Sequence, residues 1–282
     1  MATLHMRFPG GKAKALTFSY DDGMKPDIKL VDIFNRYGLK GTFNLNTHRF
    51  PPSDMTPAPA YYSRRMTKER THELFANSGH EIAVHTLTHP FLEQLPQNMA
   101  TYEVLEDRRN LEDMFGTVVR GMAYPYGTYS DEVVEVLKSC GIAYARTTRT
   151  TGTFALPKDW LRLEATCHHN AKNLMELGNR FVNETPNRTS WLFYVWGHSF
   201  EFDDNNNWDI MENFAELVGL KNDIWYATNI EVYDYCKAYE ALRFSVDGTL
   251  VYNPTAIEVF FSDSSRGNIT FSVKPGETIC TK

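Results

Sequence analysis

Short runs of apolar and β-branched residues alternate along the chain with longer stretches whose apolar positions recur every three or four residues. The strand-like runs cover 15–20, 41–45, 81–85, 118–124, 142–147, 161–165, 191–196 and 224–227, lengths and compositions typical of strands. Helical periodicity appears near 26–37, 67–77, 97–115, 129–139, 171–184, 208–219 and 230–241. In the fourth of these, Ser130 is placed to cap the N-terminus, and Val133, Val134 and Leu137 form an apolar stripe. Gly141 then stands where a helix C-terminal glycine belongs. Seven or eight βα units in series predict an α/β chain closing into a (β/α) barrel.

Two segments depart from that rhythm. Residues 48–66 are rich in proline and lack periodicity, which reads as a long βα loop; such loops on a barrel's strand C-terminal face shape the substrate site. From Leu242 the pattern alternates, predicting three short antiparallel strands with Asp247-Gly248 as a hairpin turn. The expected organisation is a barrel over 1–241 and a β-rich appendage over 242–282 packed on it, a structural cover rather than a sugar-binding module.

Composition narrows the function. A net charge of -6 and scattered Lys and Arg, with basic pairs only at Arg64-Arg65 and Arg108-Arg109, exclude a nucleic-acid footprint. No apolar run is long enough for a membrane span or a leader, so the expectation is a cytoplasmic protein without membrane contact. Cys140, Cys167, Cys236 and Cys280 are far apart and suit reduced thiols. Cys167, in T-C-H-H, is the one that could offer a thiolate to a metal.

Four segments carry chemistry, each at a predicted strand end. T-F-S-Y-D-D-G at 17–23 ends an apolar strand in two adjacent carboxylates. Neighbouring strand residues point opposite ways, so a bend beside Gly23 must re-aim one of them. Two carboxylates there repel unless a cation or protons intervene. H-T-L-T-H-P at 85–90 follows the strand E-I-A-V and sets His85 and His89 four apart. With a carboxylate, two imidazoles make a triad with open positions that suits zinc, cobalt, nickel or iron. A-Y-P-Y-G at 123–127 is a tight turn able to present a backbone N–H to a developing oxyanion. W-G-H-S-F-E at 196–201 brings His198 out of a buried strand, placed as a general acid.

In order and placement these segments resemble the motifs of the polysaccharide deacetylase family, carbohydrate esterase family four, to which the chitooligosaccharide deacetylases belong. The family's T-F-D-D-G resembles residues 17–23, with two residues interposed, and its H-[ST]-x-x-H is matched in full by 85–89. Its R-x-P-Y is met in part by residues 123–126, and its late histidine by His198. The resemblance runs from about residue 13 to 235. It implies a distorted (β/α)7 TIM-like barrel and hydrolytic removal of N- or O-acetyl groups from a carbohydrate. It further implies Asp22, His85 and His89 as ligands of one divalent metal, zinc being expected, and Asp21 as general base. The N–H of Tyr126 would hold the oxyanion, and His198 would protonate the leaving amine.

One departure stands out: Ala123 occupies the position of the family arginine that orients the catalytic aspartate. Arg120 is too early in the motif, whereas Arg146, at the end of the next strand, is the expected substitute. The family's Asp-Trp segment would correspond to Asp159-Trp160, making Asp159 a tuner of His198. Two other readings stand beside deacetylation: a barrel amidohydrolase opening a small cyclic amide, and a sugar-binding homologue without activity.

Overall fold

Eight consecutive buried residues in Lys14–Asp21 make the central strand of the molecule, polar Lys14, Thr17, Ser19 and Asp21 included, since a parallel strand here is covered on both faces. The computed structural model describes residues 3–52 and 60–282. In chain order the strands are β1 (Leu4–Arg7), β2 (Lys14–Asp21), β3 (Gly41–Leu45), β4 (Glu81–Val84), β5 (Gly121–Ala123), β6 (Tyr144–Thr150), β7 (Leu163–Ala165), β8 (Cys167–His168), β9 (Trp191–Gly197) and β10 (Ile224–Tyr226), followed by five tail strands. Strands β2 to β9 form one parallel sheet in the order β7-β6-β5-β4-β3-β2-β9-β8. Strand β3 begins opposite Phe18, and β10 occupies the lower part of β2, at Lys14 to Leu16.

The sheet curls into a barrel whose ladder is interrupted between β7 and β8. Thr166 bridges the gap: its N–H donates to the Tyr194 carbonyl at 2.8 Å, and its hydroxyl to Leu192 O at 3.4 Å. The helices are α1 (Asp27–Arg36), α2 (Ala60–Ser63), α3 (Lys68–Phe75), α4 (Gln97–Phe115), α5 (Asp131–Ser139), α6 (Leu174–Asn183), α7 (Phe200–Asp204), α8 (Trp208–Val218) and α9 (Asn229–Glu240). Ser130 caps α5 by accepting the Val133 N–H, and Gly141 adopts φ 70° just beyond it. Among the described residues, no helix is long and apolar enough to cross a membrane.

The tail is richer than its alternation suggested. Five strands, β11 (Arg243–Phe244), β12 (Leu250–Tyr252), β13 (Val259–Asp263), β14 (Ile269–Val273) and β15 (Thr278–Cys280), make two three-stranded sheets where three strands were expected. Asp247-Gly248 does turn the chain between β11 and β12, with Gly248 at φ 71°. The second sheet is completed by β1, which pairs antiparallel with β13. Leu4–Arg7 therefore lies with the tail and not in the barrel, a pairing across the whole chain that local pattern cannot signal. Tyr235 of α9 fastens this sheet down, donating to Arg7 O at 2.6 Å and accepting Phe260 N–H at 2.8 Å. Part of the loop at 48–66, residues 53–59, lies outside the described residues.

Candidate metal centre and catalytic site

The predicted site residues emerge at the strands' C-terminal mouth, and the backbone bends sharply to aim them. Four residues there are in the left-handed region without being glycine: Asp22 (φ 84°), Thr86 (65°), His89 (64°) and Tyr126 (59°). Such conformations cost of order 1–3 kcal/mol each and persist only where surrounding contacts enforce them. At Asp22 the bend separates the paired acids. Asp21 continues the strand into the barrel, while Asp22 turns toward the two histidines.

One ligand atom each from Asp22, His85 and His89 lies within 4.8 Å of the others. His85 is buried and donates Nδ1–H to the Ala123 carbonyl at 2.8 Å, which leaves its Nε2 lone pair for a cation. Burial lowers its pKa, and burial with His85 as neighbour lowers that of His89 to about 4, so both rings are neutral donors. His89 Nδ1 is buried without a hydrogen-bond partner. Burial would raise the Asp22 carboxyl, but His85 and Arg65 outweigh it and hold it at about 2. Two neutral imidazoles, one with an orphaned nitrogen, and one carboxylate fit a divalent cation.

The histidine turn hangs on α4. Glu103 accepts Thr88 N–H and hydroxyl at 2.8 and 2.7 Å, and Asp107 accepts His85 N–H at 3.1 Å and Thr47 N–H at 2.7 Å. Asn46 donates to the His85 and Thr86 carbonyls. Tyr126 lies against this turn, its ring 4.5 Å from His89 and stacked on Phe91 at 3.8 Å.

Asp21 is engaged on both oxygens. Asn44, its register neighbour on β3, donates to Oδ1 at 2.9 Å, and Arg146 pairs with Oδ2. Arg146 sits directly across from Ala123 in the β5–β6 ladder, with its guanidinium 4.5 Å from the Trp196 ring centroid. Burial pushes the Asp21 carboxyl up, but Arg146, His85 and His198 together outweigh it and keep it below its ordinary value. Arg120 pairs instead with Asp234.

His198 Nε2 stands 3.7 Å from Asp21 Oδ2, and its Nδ1–H donates to Glu201 at 2.8 Å. Burial pulls this imidazole down, but Glu201 and Asp21 outweigh it and raise it. Asp159, expected beside His198, caps Leu161 and pairs with Arg162 at 2.7 Å. Glu201 takes that place because the first turn of α7 folds it back under the ring. Its carboxylate also receives Asn170 Nδ2 at 2.8 Å and faces His169 at 3.2 Å and His168 at 3.5 Å. His168 accepts the Asn170 N–H on Nδ1 at 3.1 Å, so its Nε2 carries the proton toward Glu201. Although His168, His198 and Glu201 have metal-like spacing, they form a hydrogen-bonded hub. Cys167 is buried, its thiol is pushed up to about 12 by burial, and it lies outside the ligand clusters found among the described residues.

The strand ends thus gather Asp21, Asp22, His85, His89, Arg146 and His198, with Tyr126 on the rim. Pattern reading missed Asn44, Arg65, Glu103, Asp107 and Glu201. Residues 9–145 match the sequence model of the family described as polysaccharide deacetylase. A chitooligosaccharide deacetylase of Sinorhizobium fredii (strain NBRC 101917 / NGR234) is 26% identical over 156 residues, 54% of this chain and 63% of that protein. The chain therefore spans less than two thirds of that curated relative. Among solved structures, the Xyl-CE4 domain of a multidomain xylanase from the hindgut metagenome of Trinervitermes trinervoides has a TM-score of 0.52 at 16% identity, covering 80% of this chain and 92% of that one. A family 4 carbohydrate esterase from Streptomyces lividans, in complex with acetate, has 0.50 at 12%, covering 77% and 93%. At these identities the likeness is one of fold, the distorted (β/α)7 barrel.

Proposed function

We propose that this chain, whose residues 9–145 match the polysaccharide deacetylase family model, is a member of that family and a metal-dependent hydrolase removing acetyl groups from a carbohydrate. The observation that carries this reading is the meeting of Asp22, His85 and His89 with Asp21 and His198, Asp21 Oδ2 lying 4.0 Å from His85 Nε2 and 3.7 Å from His198 Nε2. Asp22, His85 and His89 would hold one divalent ion, zinc being the expected one, and when bound it polarises the acyl carbonyl and acidifies a water.

The chain's own groups divide the remaining work. Asp21 has both oxygens committed to Asn44 and Arg146, so it stays off the ligand set and serves as general base. It takes the proton of the attacking water. The Tyr126 N–H, presented by its left-handed turn, stabilises the oxygen that gains charge as the carbonyl becomes tetrahedral. His198, whose protonated form Glu201 and Asp21 favour, delivers its proton to the departing amine or alcohol as the C–N or C–O bond breaks. Water is consumed and acetate leaves. The exposed Tyr126, stacked on the half-buried Phe91, gives a sugar ring an aromatic face to lie against. The tail over 242–282 is read as a cover tied down by α9.

The test couples metal analysis to substrate choice. The purified chain is expected to carry about one metal per molecule and to release acetate from chitooligosaccharides, and His85→Ala is expected to lose both. Equal metal content in the two proteins would overturn the ligand set. Ring opening of a cyclic ureide without acetate release would overturn the carbohydrate substrate while keeping the metal chemistry.

A further inference from the structure

The segment 64–66, which follows α2, returns to the mouth of the barrel and is stitched to the chain just after Asp22. Lys25 N–H donates to Arg64 O at 2.8 Å, Met66 N–H to Gly23 O at 3.1 Å, and Met24 and Arg65 form an antiparallel bridge. This places the Arg65 side chain, 5% exposed, against Asp22. One arm of the guanidinium, Nη2, donates to Oδ1 at 3.0 Å, and the other, Nη1, donates to the Asp22 carbonyl at 2.5 Å. A single planar fork therefore grips the carboxylate and the backbone of the same residue.

We propose that Arg65 is a positioning residue for the cation site, fixing Asp22 in its left-handed conformation with Oδ1 engaged and Oδ2 left for a cation the site would hold. The proposal rests on the reading of Asp22, His85 and His89 as ligands. The neighbouring Arg64 carries the same segment to the acid side of the site. It pairs with Asp204 at 2.8 and 3.1 Å, donates to Phe200 O at 3.2 Å, and lies 5.1 Å over the Phe200 ring. Helix α7, so held, bears Glu201, the partner of His198. The dipeptide Arg64-Arg65 thus straps the metal side of the mouth to the proton-donating side.

Two effects of Arg65 on metal binding oppose one another, and their signs separate the roles. A guanidinium beside the site repels a dication, so a residue serving only as counter-charge would weaken binding, and its removal would tighten it. A residue that pre-orients a ligand strengthens binding, and losing such a partner costs about 10–100-fold in affinity. Lysine keeps the charge but cannot fork across two acceptors, so Arg65→Lys removes the grip alone.

The experiment measures the Zn2+ dissociation constant of the full chain by competition with a chromogenic chelator. Wild type, Arg65→Lys, Arg65→Met, His85→Ala and the remote charge control Arg36→Ala are compared, with circular dichroism as the folding check. Both Arg65 variants are expected to bind about 10–100-fold more weakly, and Arg36→Ala as wild type. If Arg65→Met does not fold, Arg65→Lys decides. Affinity within about threefold of wild type, or tighter, in the folded Arg65 variants overturns the proposal. Equal affinity in wild type and His85→Ala would instead overturn the metal site itself.

Discussion

Replacing Arg146 by methionine leaves Asp21 alone in the barrel mouth, and the structure fixes both the size and the pH dependence of the outcome. The two side chains are 1% and 3% exposed, so water cannot take over from the guanidinium. Methionine keeps much of the aliphatic bulk against Trp196 and removes only the charge and its donors. Deleting one partner of a buried pair costs about 3–5 kcal/mol, because the other charge stays behind. Asn44 still donates to Oδ1, which argues for the lower end, about 3 kcal/mol.

In the wild type, burial pushes Asp21 up, and Arg146 with His85 and His198 more than offsets it. The pair's contribution is therefore present above the unfolded carboxyl value of about 3.9 and is lost as the pH falls through the folded value. Without Arg146 the push from burial is opposed only by His85 and His198, and the carboxyl rises. The variant's deficit is then full at about pH 8 and shrinks on acidification, when Asp21 takes up a proton. Urea unfolding at several pH values, with chelator present to remove metal linkage, measures it. The acid limb of kcat/KM should move to higher pH in parallel. Asp21→Asn in the Arg146→Met background should recover most of the loss, since no uncompensated charge remains. A deficit below about 1 kcal/mol at pH 8, or one independent of pH, would refute the pairing as described.

Glu201→Gln should shift the basic limb of kcat to lower pH. His198 is raised in the folded state, so its contribution is present below about pH 6.5 and lost as pH rises through the folded value; an NMR titration of His198 reads this directly. Gly197→Ala would place a Cβ 2.0 Å from His169 Nδ1; with His169 fully buried, overpacking of about 1–3 kcal/mol is expected in denaturant unfolding, together with reduced kcat as Glu201 is displaced. Stripping the metal with a chelator should lower Tm, by the equivalent of about 2.7 kcal/mol where free metal had stood at a hundredfold its dissociation constant, and re-addition should restore it.

The pattern of the chain revealed the site where chemistry coincides with a strand end. Asp21, His85 and His198 are each the last or next residue of an apolar run, so alternation alone placed them on one rim. Arg146 was legible for a related reason: it pairs in register with Ala123, where an arginine was expected. Glu103 and Asp107 left a signal that went unused, two acids lying among the buried Ala100, Val104 and Leu111 of α4. Glu201 left a weaker one, the i, i+3 spacing from His198. Arg65 left none, because its position depends on how an aperiodic loop crosses back over β2. Strand β8 is only two residues long, below what periodicity can detect, and β1 declares itself only through its distant partner.

That distant partner has a consequence for the order of events in folding. Thr3 N–H and Asp263 are joined across 260 positions, so the edge that β1 completes cannot form until nearly all the sequence is available. The run of the ladder from β2 to β7 can assemble strand by strand from neighbours in sequence, whereas this small sheet closes a loop of nearly the whole chain. It should be a late step of refolding, with β13 exposed as an unpaired edge until then, a state open to pairing between chains. Concentration-dependent losses during refolding should therefore trace to these few residues at the two ends, while the site's own strands are already in place.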